Sequence, residues 1–299
     1  MSAFANGVLF GGDIDLAAVQ GALGRRLAIV RVYDRIGERF LSRQLAGLMS
    51  QGTTALVSLD TTPPGPTYAA IAAGREDATI MGWLKSVEQA AVTYHLPAIF
   101  VTFEHEADNL SKHQGLGTPA QFVQAWDHIH ALATSAHLDW NQGGRIHWAM
   151  ILMHYAYLNG KAASFWPGTG EADVVAADGY NTGGCRQARR AGRTGGGFTG
   201  QVPPVTPASL FGKAVSFAAA RHVPLFIAEW GSVAYTSPSV RVGFIQQMQS
   251  FVQSNPQIGA ALYWDSQVPP CNYIVDNSSS SLAALASMGH APSMQGSAR

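Results

Sequence analysis

Apolar and polar positions along the 299-residue chain follow two alternating rhythms. Short apolar runs rich in β-branched residues predict strands over Gly7–Phe10, Leu27–Tyr33, Thr53–Leu59, Ala98–Phe103, Arg145–Met153, Val174–Ala177, Leu225–Ala228 and Ala260–Tyr263. Several are apolar without interruption, as strands covered on both faces should be. Between them, apolar residues recur at helix spacing; Phe122, Ala125, Trp126 and Ile129 form one such stripe, which packs against the sheet. Thr118-Pro119, Thr206-Pro207 and Ser237-Pro238 each place a hydroxyl at the N-cap and a proline at the first helical position. They start helices near Pro119–Ala136, Pro207–Arg221 and Pro238–Ser254. Helices after the first, second and fifth strands are expected to be shorter.

Eight strands alternating with helices predict an α/β fold, a (β/α)8 TIM barrel in a single domain spanning 1–299. The competing architecture is an open doubly wound sheet. Its dinucleotide fingerprint is missing from the first turn, where Gly11-Gly12 is only a pair of glycines. Residues Thr182–Val205 break the rhythm with seven glycines, four arginines and no acid. They read as a solvated loop after strand six, or as a rim element that meets substrate hydroxyls or a charged substituent.

In a barrel, the loops after the strands build the cleft, so what ends each strand is informative. Strand one runs into Asp13 and Asp15, strand two into Arg31, Tyr33 and Asp34, and strand three into Asp60. Strand four ends in Glu104-His105-Glu106, five in His154-Tyr155, and six in Asp178-Gly179-Tyr180-Asn181. Strand seven ends in Glu229-Trp230 and strand eight in Trp264-Asp265. Taken singly, these residues have plainer readings. Asp13 or Asp15 caps the next helix, Asp60 is a turn residue, and His154 is a satisfied buried histidine. Arg31 either closes an ion pair inside the barrel or holds a sugar hydroxyl.

Glu106 and Glu229 are different in kind, because they follow strands that face each other across the mouth. Retaining glycoside hydrolysis needs two carboxyls about 5–5.5 Å apart, one nucleophile and one acid/base. Tyr180 on the neighbouring strand is placed to donate a hydrogen bond to Glu229, and His105 to orient a carboxyl or sugar hydroxyl. Trp230, Trp264, Tyr155 and Trp166 offer flat faces for pyranose rings.

Composition narrows the partner. Only 13% of residues are charged, against an average near 25%, and nineteen Lys+Arg balance nineteen Asp+Glu. Such a chain is a poor nucleic-acid or membrane-surface binder, and no apolar run is long enough to span a bilayer. The balance suits an uncharged polysaccharide or oligosaccharide. No cofactor, metal or nucleic acid is expected, and the chain is expected to act as a monomer. The first ten residues show no basic segment ahead of an apolar one, so no leader peptide is visible there.

Phe103-Glu104-His105-Glu106 resembles the strand-four His-Glu motif of the family 26 glycoside hydrolases, clan A barrels best known as β-mannanases. Ile227-Ala228-Glu229-Trp230-Gly231-Ser232 resembles their strand-seven nucleophile motif. Ala176-Ala177-Asp178-Gly179-Tyr180-Asn181 is similar to the segment carrying their nucleophile-contacting tyrosine, and Trp264 falls where they place a platform tryptophan. The resemblance runs from the first strand to the last helix and implies Glu106 as acid/base and Glu229 as nucleophile. Together with the strand-end reading, it leaves Asp178, Tyr180, His105, Tyr155, Trp230, Trp264 and Arg31 as the candidate substrate-contacting residues.

The resemblance departs at Ala107-Asp108-Asn109, where family members carry Met-Asn-Gly, and at Thr102, where they tend to carry arginine. Both departures fall near the glycone site and leave the sugar open. Glu104 competes with Glu106, since the two point the same way if the strand continues; the preceding histidine favours Glu106. Cys185 and Cys271 fall on the loops after strands six and eight, where a disulfide would brace the rim and imply secretion. Two free thiols in a cytosolic protein are the alternative. Two other functions stay open at this point. One is a non-catalytic carbohydrate-binding barrel; the other is a metal-dependent hydrolase using His105, His154, Asp178 and Asp265.

Overall fold

The computed structural model describes residues 4–61, 63–109, 111–193, 198 and 200–298. All eight expected strands form: β1 (Phe4–Asp13), β2 (Ile29–Arg35), β3 (Thr54–Asp60), β4 (Ile99–Phe103), β5 (Ile146–Met153), β6 (Val174–Asn181), β7 (Leu225–Ser232) and β8 (Ile258–Tyr263). Each pairs in parallel with the next, and β1 pairs with β8 through Leu9↔Ala260 to Gly12↔Tyr263, which closes a barrel. The open-sheet alternative is thereby excluded. Gly11 and Gly12 belong to this closure: a Cβ on Gly11 would lie 2.1 Å from the Ile29 carbonyl oxygen.

The helices follow the capping chemistry. After α1 (Ile14–Ala18), α2 (Arg43–Met49), α3 (Tyr68–Ala72) and α4 (Asp77–Thr93) comes α5 (Pro119–Ser135), opened by a capping box between Thr118 and Gln121. The short α6 (His154–Leu158) and α7 (Cys185–Arg190) precede α8 (Pro207–Ala219), opened by a box between Thr206 and Ser209. Then come α9 (Pro238–Gln253), where Ser237 makes no capping bond, and α10 (Ser279–His290). A two-stranded ribbon of β9 (Gln267–Val268) and β10 (Cys271–Asn272) follows β8. Finally β11 (Gln295–Ala298) pairs antiparallel with the start of β1. The helices after β1, β2 and β5 are short, as expected. The Phe122, Ala125, Trp126 and Ile129 stripe is fully buried against the barrel.

Strand periodicity explains where the polar residues go. Leu9, Ile29, Leu56, Phe100, Val174, Phe226 and Leu262 point into the barrel and fill it. Stepping onward by two, Ile29 leads to Arg31 and Tyr33, Leu56 to Ser58 and Asp60, and Val174 to Asp178 and Tyr180. Each inward row therefore turns polar at its C-terminal end. On β7 the register with β6 slips, so that Ala177 faces Ile227 but Asp178 faces Glu229. This bulge inverts the alternation, turning Glu229 inward and Trp230 outward.

Candidate active site

Glu229 sits where donors converge. Tyr180 donates its hydroxyl to Oε2 and Tyr33 donates to Oε1 at 2.5 Å. The Arg31 guanidinium lies 3.6 Å from Oε1. Burial and the neighbouring Glu229 charge hold the Tyr180 phenol well above its ordinary value, so it stays a donor. Donors of this kind stabilise the carboxylate form of an acid, the form a nucleophile needs. Arg31 is itself buried and also donates to Ser58 Oγ (2.7 Å) and the Leu56 carbonyl (3.2 Å). Burial alone would lower its pKa, but Tyr33, Glu229 and Asp178 outweigh that. Of the two readings of Arg31, the interior ion pair is the one seen. Its guanidinium is enclosed and positions Glu229 rather than touching a sugar.

Glu106 lines the same cavity of about 1350 Å³ as Glu229. The strand does not continue to it. β4 stops at Phe103, and Glu104 and Glu106 adopt left-handed conformations with φ of 56° and 55°. The turn separates the two side chains. Glu106 donates its backbone N–H to the Ile151 carbonyl (3.0 Å) and receives the Asn109 side-chain amide at Oε2 (3.1 Å). Asp108 accepts from the Met153 N–H (2.9 Å), which ties the turn to β5. The Ala107-Asp108-Asn109 segment thus fastens Glu106 in place.

Glu104 is wholly buried below the cleft. It accepts from the Thr61 N–H at 3.1 and 3.2 Å and faces His113 Nδ1 at 3.3 Å. Burial, then the charge of Asp60, raises its carboxyl to about 9, so it is a neutral acid. His113 donates through Nε2 to the His105 carbonyl (3.2 Å), so the nitrogen facing Glu104 is the unprotonated Nδ1, which makes no hydrogen bond among the described residues.

His105 stands in the cavity wall, with Nδ1 2.9 Å from Asp60 Oδ2 and Nε2 2.5 Å from Lys112 Nζ. Asp60, expected to be a turn residue, is instead the partner that orients His105. Asp178 is completely buried beside Glu229 in the β6–β7 register. Burial, then the charges of Glu229 and Glu106, raises its carboxyl well above the ordinary value, keeping it neutral. Neither of its oxygens has a hydrogen-bond partner among the described residues. Wholly enclosed, it offers no surface to a substrate.

Trp264 lines the cavity and packs edge-on to Tyr180, with centroids 5.3 Å apart. Trp230 is a correction. The β7 bulge turns its ring outward, where it is fully buried against Tyr263 and Phe244 and cannot stack on a sugar. Tyr155 is half-exposed against His154 and lies outside the cavity wall; Trp166 packs on Phe217 and Arg221. His154 is the satisfied buried histidine, donating from Nδ1 to the Asp178 carbonyl (3.2 Å) and held down to about 4 by burial. Asp13 caps α1 through Leu16 (3.0 Å) and also accepts from the Asp265 N–H (2.9 Å). Among the described residues no three His, Cys, Asp or Glu side chains converge to hold a metal ion. His105 is bound to Asp60, His154 to the Asp178 backbone and Asp265 to the Val275 N–H, so the four proposed ligands do not meet.

The sequence placed Tyr33 at the end of strand two without giving it a role; its signal was its place two residues beyond inward-facing Arg31. Lys112 and Asn109 lie on an irregular loop and carried no periodic signal. Cys185 and Cys271 are joined, linking α7 to β10 across the mouth. Within Thr182–Val205, residues 194–197 and 199 lie outside the described residues. The remainder is not simply a solvated loop, since α7 places Arg186, Arg189 and Arg190 in the cavity wall.

No family profile matches this sequence, and no curated protein matches it. Solved structures do resemble it. A Cellulomonas fimi endo-β-1,4-mannanase double mutant aligns over 97% of this chain and 74% of its own at 14% identity, with a TM-score of 0.65. The Bacteroides ovatus family 26 β-mannanase BoMan26A aligns over 96% and 90% at 13% identity, with a TM-score of 0.63. GH26C from Muricauda sp. MAR_2010_75 aligns over 97% and 89% at 12% identity, with a TM-score of 0.65. The likeness is one of fold: the chain adopts a (β/α)8 barrel like that of the family 26 glycoside hydrolases.

Proposed function

We propose that the protein is a retaining glycoside hydrolase that cleaves a β-linked polysaccharide by double displacement. The observation that carries this reading is the asymmetry of two carboxyls sharing one cavity. Glu229 is gripped by Tyr33, Tyr180 and Arg31, whereas among the described residues Glu106 has only the Asn109 amide on its carboxyl. In this scheme Glu106 protonates the leaving oxygen while Glu229 attacks the anomeric carbon to form a glycosyl-enzyme. Glu106 then takes a proton from water, which releases the sugar with its configuration retained. Trp264 supplies the ring platform, and His105, locked by Asp60, borders the sugar. The barrel fold shared with the solved mannanases supports the reading. The Cys185–Cys271 bond favours an oxidising, extracellular setting.

The test is reducing-sugar release across mannan, glucomannan, mixed-linkage glucan, xylan and bacterial-wall polysaccharides, with Glu106→Ala and Glu229→Ala as blanks. Both variants should be inactive, a 2-fluoroglycoside should label Glu229, and NMR should show the β-anomer released first. A label on another carboxylate, or release of the α-anomer, would overturn the assignment.

A further inference from the structure

Resting on the hydrolase reading, we propose that the natural substrate is an acidic β-glycan. Arg186, Arg189 and Arg190 would receive a carboxylate, sulfate or phosphate group on a sugar close to Glu229. The three arginines stand at i, i+3 and i+4 on α7, so they share one helix face, and all three line the cavity that holds Glu106 and Glu229. Like charges at this spacing repel one another, and among the described residues none of the three lies within ion-pair distance of an acid. Of the five acids of the wall, Glu106 accepts from the Asn109 amide and the other four have partners away from α7. Asp60 serves His105 and Lys112, Glu229 serves Arg31, Asp34 accepts from the Trp83 indole, and Glu38 accepts from the Arg35 N–H. The positive face therefore looks onto the cleft without an internal counter-ion.

Two constraints hold this face in position. The disulfide pins the first residue of α7 to β10, and the Arg186 guanidinium lies over the Tyr180 ring, 5.4 Å from its centroid. Tyr180 is one of two hydroxyl donors to Glu229, so Arg186 is one aromatic ring away from the reacting carboxyl. Arg186 also hydrogen-bonds the Tyr273 side chain, and the hydroxyls of a neutral mannan or glucan would accept from the guanidinium forks but leave their three charges uncompensated. A carboxylate, sulfate or phosphate matches them in charge, and carboxylate and phosphate also match in bidentate geometry. The even charge balance of the whole chain conceals this segregation, because four of its nineteen cationic residues lie in the acid-free stretch Thr182–Val205.

The proposal is tested by binding, separately from catalysis. Inactive Glu229→Gln protein is run in native gels containing β-1,4-mannuronan, β-1,4-glucuronan or a sulfated or phosphorylated β-glycan. Each is paired with its carboxyl-reduced, desulfated or dephosphorylated form, so the responding pair identifies the anionic group. Polyglutamate and α-linked polygalacturonate serve as polyanion controls. At least one acidic β-glycan should retard the protein, at least tenfold more strongly than its neutral partner. Adding Arg186→Gln, Arg189→Gln and Arg190→Gln should abolish the difference. The exposed pair Arg189→Gln/Arg190→Gln, which leaves Arg186 in place, should weaken it. Equal retardation by the neutral forms or by polyglutamate, unchanged binding in the triple variant, or no retardation by any acidic member would each overturn the proposal. Hydrolysis by the wild type is scored independently. Acid-dependent binding without cleavage would sink the hydrolase reading and keep the anion site. Cleavage of neutral glycans with no acid preference would do the reverse.

Discussion

Replacing Glu104 with glutamine should stabilise the protein, and increasingly so as pH rises. Glu104 is the second carboxyl of the Glu-His-Glu motif and the natural rival of Glu106, so its protonation state also bears on the site. Its carboxyl is raised from an ordinary 4.5 to about 9, first by burial and then by Asp60. In the unfolded chain it would ionise near 4.5; in the folded chain it keeps its proton. Between those values the unfolded state loses a proton that the folded state retains, so stability is fully present below 4.5 and falls as pH rises toward 9. The cost works out at about 1 kcal/mol at pH 5 and about 3 kcal/mol at pH 7. Glutamine mimics the protonated acid in charge and shape: its oxygen takes the Thr61 N–H and its amide faces His113 Nδ1. It should remove the cost without disturbing the turn.

Thermal unfolding of the two proteins at pH 5, 7 and 8 reads this directly. The variant should melt within about 1 or 2 °C of the parent at pH 5 and roughly 5 °C higher at pH 7, with the gap widening at pH 8. The comparison isolates Glu104, because Asp13, Asp108 and Asp265, also raised by burial, titrate in both proteins. Glycan hydrolysis, which Glu106→Gln should abolish, should persist in Glu104→Gln. A gap that stays constant with pH would show that Glu104 is ionised in the folded state. Loss of hydrolysis with an intact fold would move the acid/base role away from Glu106.

Tyr180→Phe removes one donor from Glu229 and nothing else from the cavity wall. A hydrogen bond to a charged group is worth about 1.5–3 kcal/mol, so kcat/KM should fall roughly ten- to a hundredfold; an unchanged rate would show that Tyr33 and Arg31 suffice. Paired Cys185→Ser/Cys271→Ser, or reduction of the wild type, opens a link spanning 86 positions and should cost about 2–5 kcal/mol in denaturant unfolding. Because α7 carries the arginine face, the same change should weaken glycan binding, and unaltered binding would show that α7 holds its place without the bond.

Much of this protein was legible in the chain because the signals are local. Strand and helix rhythms, Thr-Pro caps and polar residues at strand ends depend on neighbours a few positions apart, and they lead to an eight-stranded barrel with its chemistry on one face. Glu106, Glu229, Tyr180, His105 and Trp264 came together at the mouth for that reason. The rest needed three dimensions. A bulge in β7 reverses the alternation, so Glu229 faces the cavity while the adjacent Trp230 disappears into the core. Two left-handed residues after β4 decide which of two glutamates meets solvent. Arg31 and Tyr33 became partners of Glu229 only when barrel closure brought β2 within reach of β7. Sequence alone determined which residue types end the strands. Tertiary structure decided which of them share a cavity, since bulges, turns and closure set side-chain direction and cross-barrel distance, and neither is encoded in local periodicity.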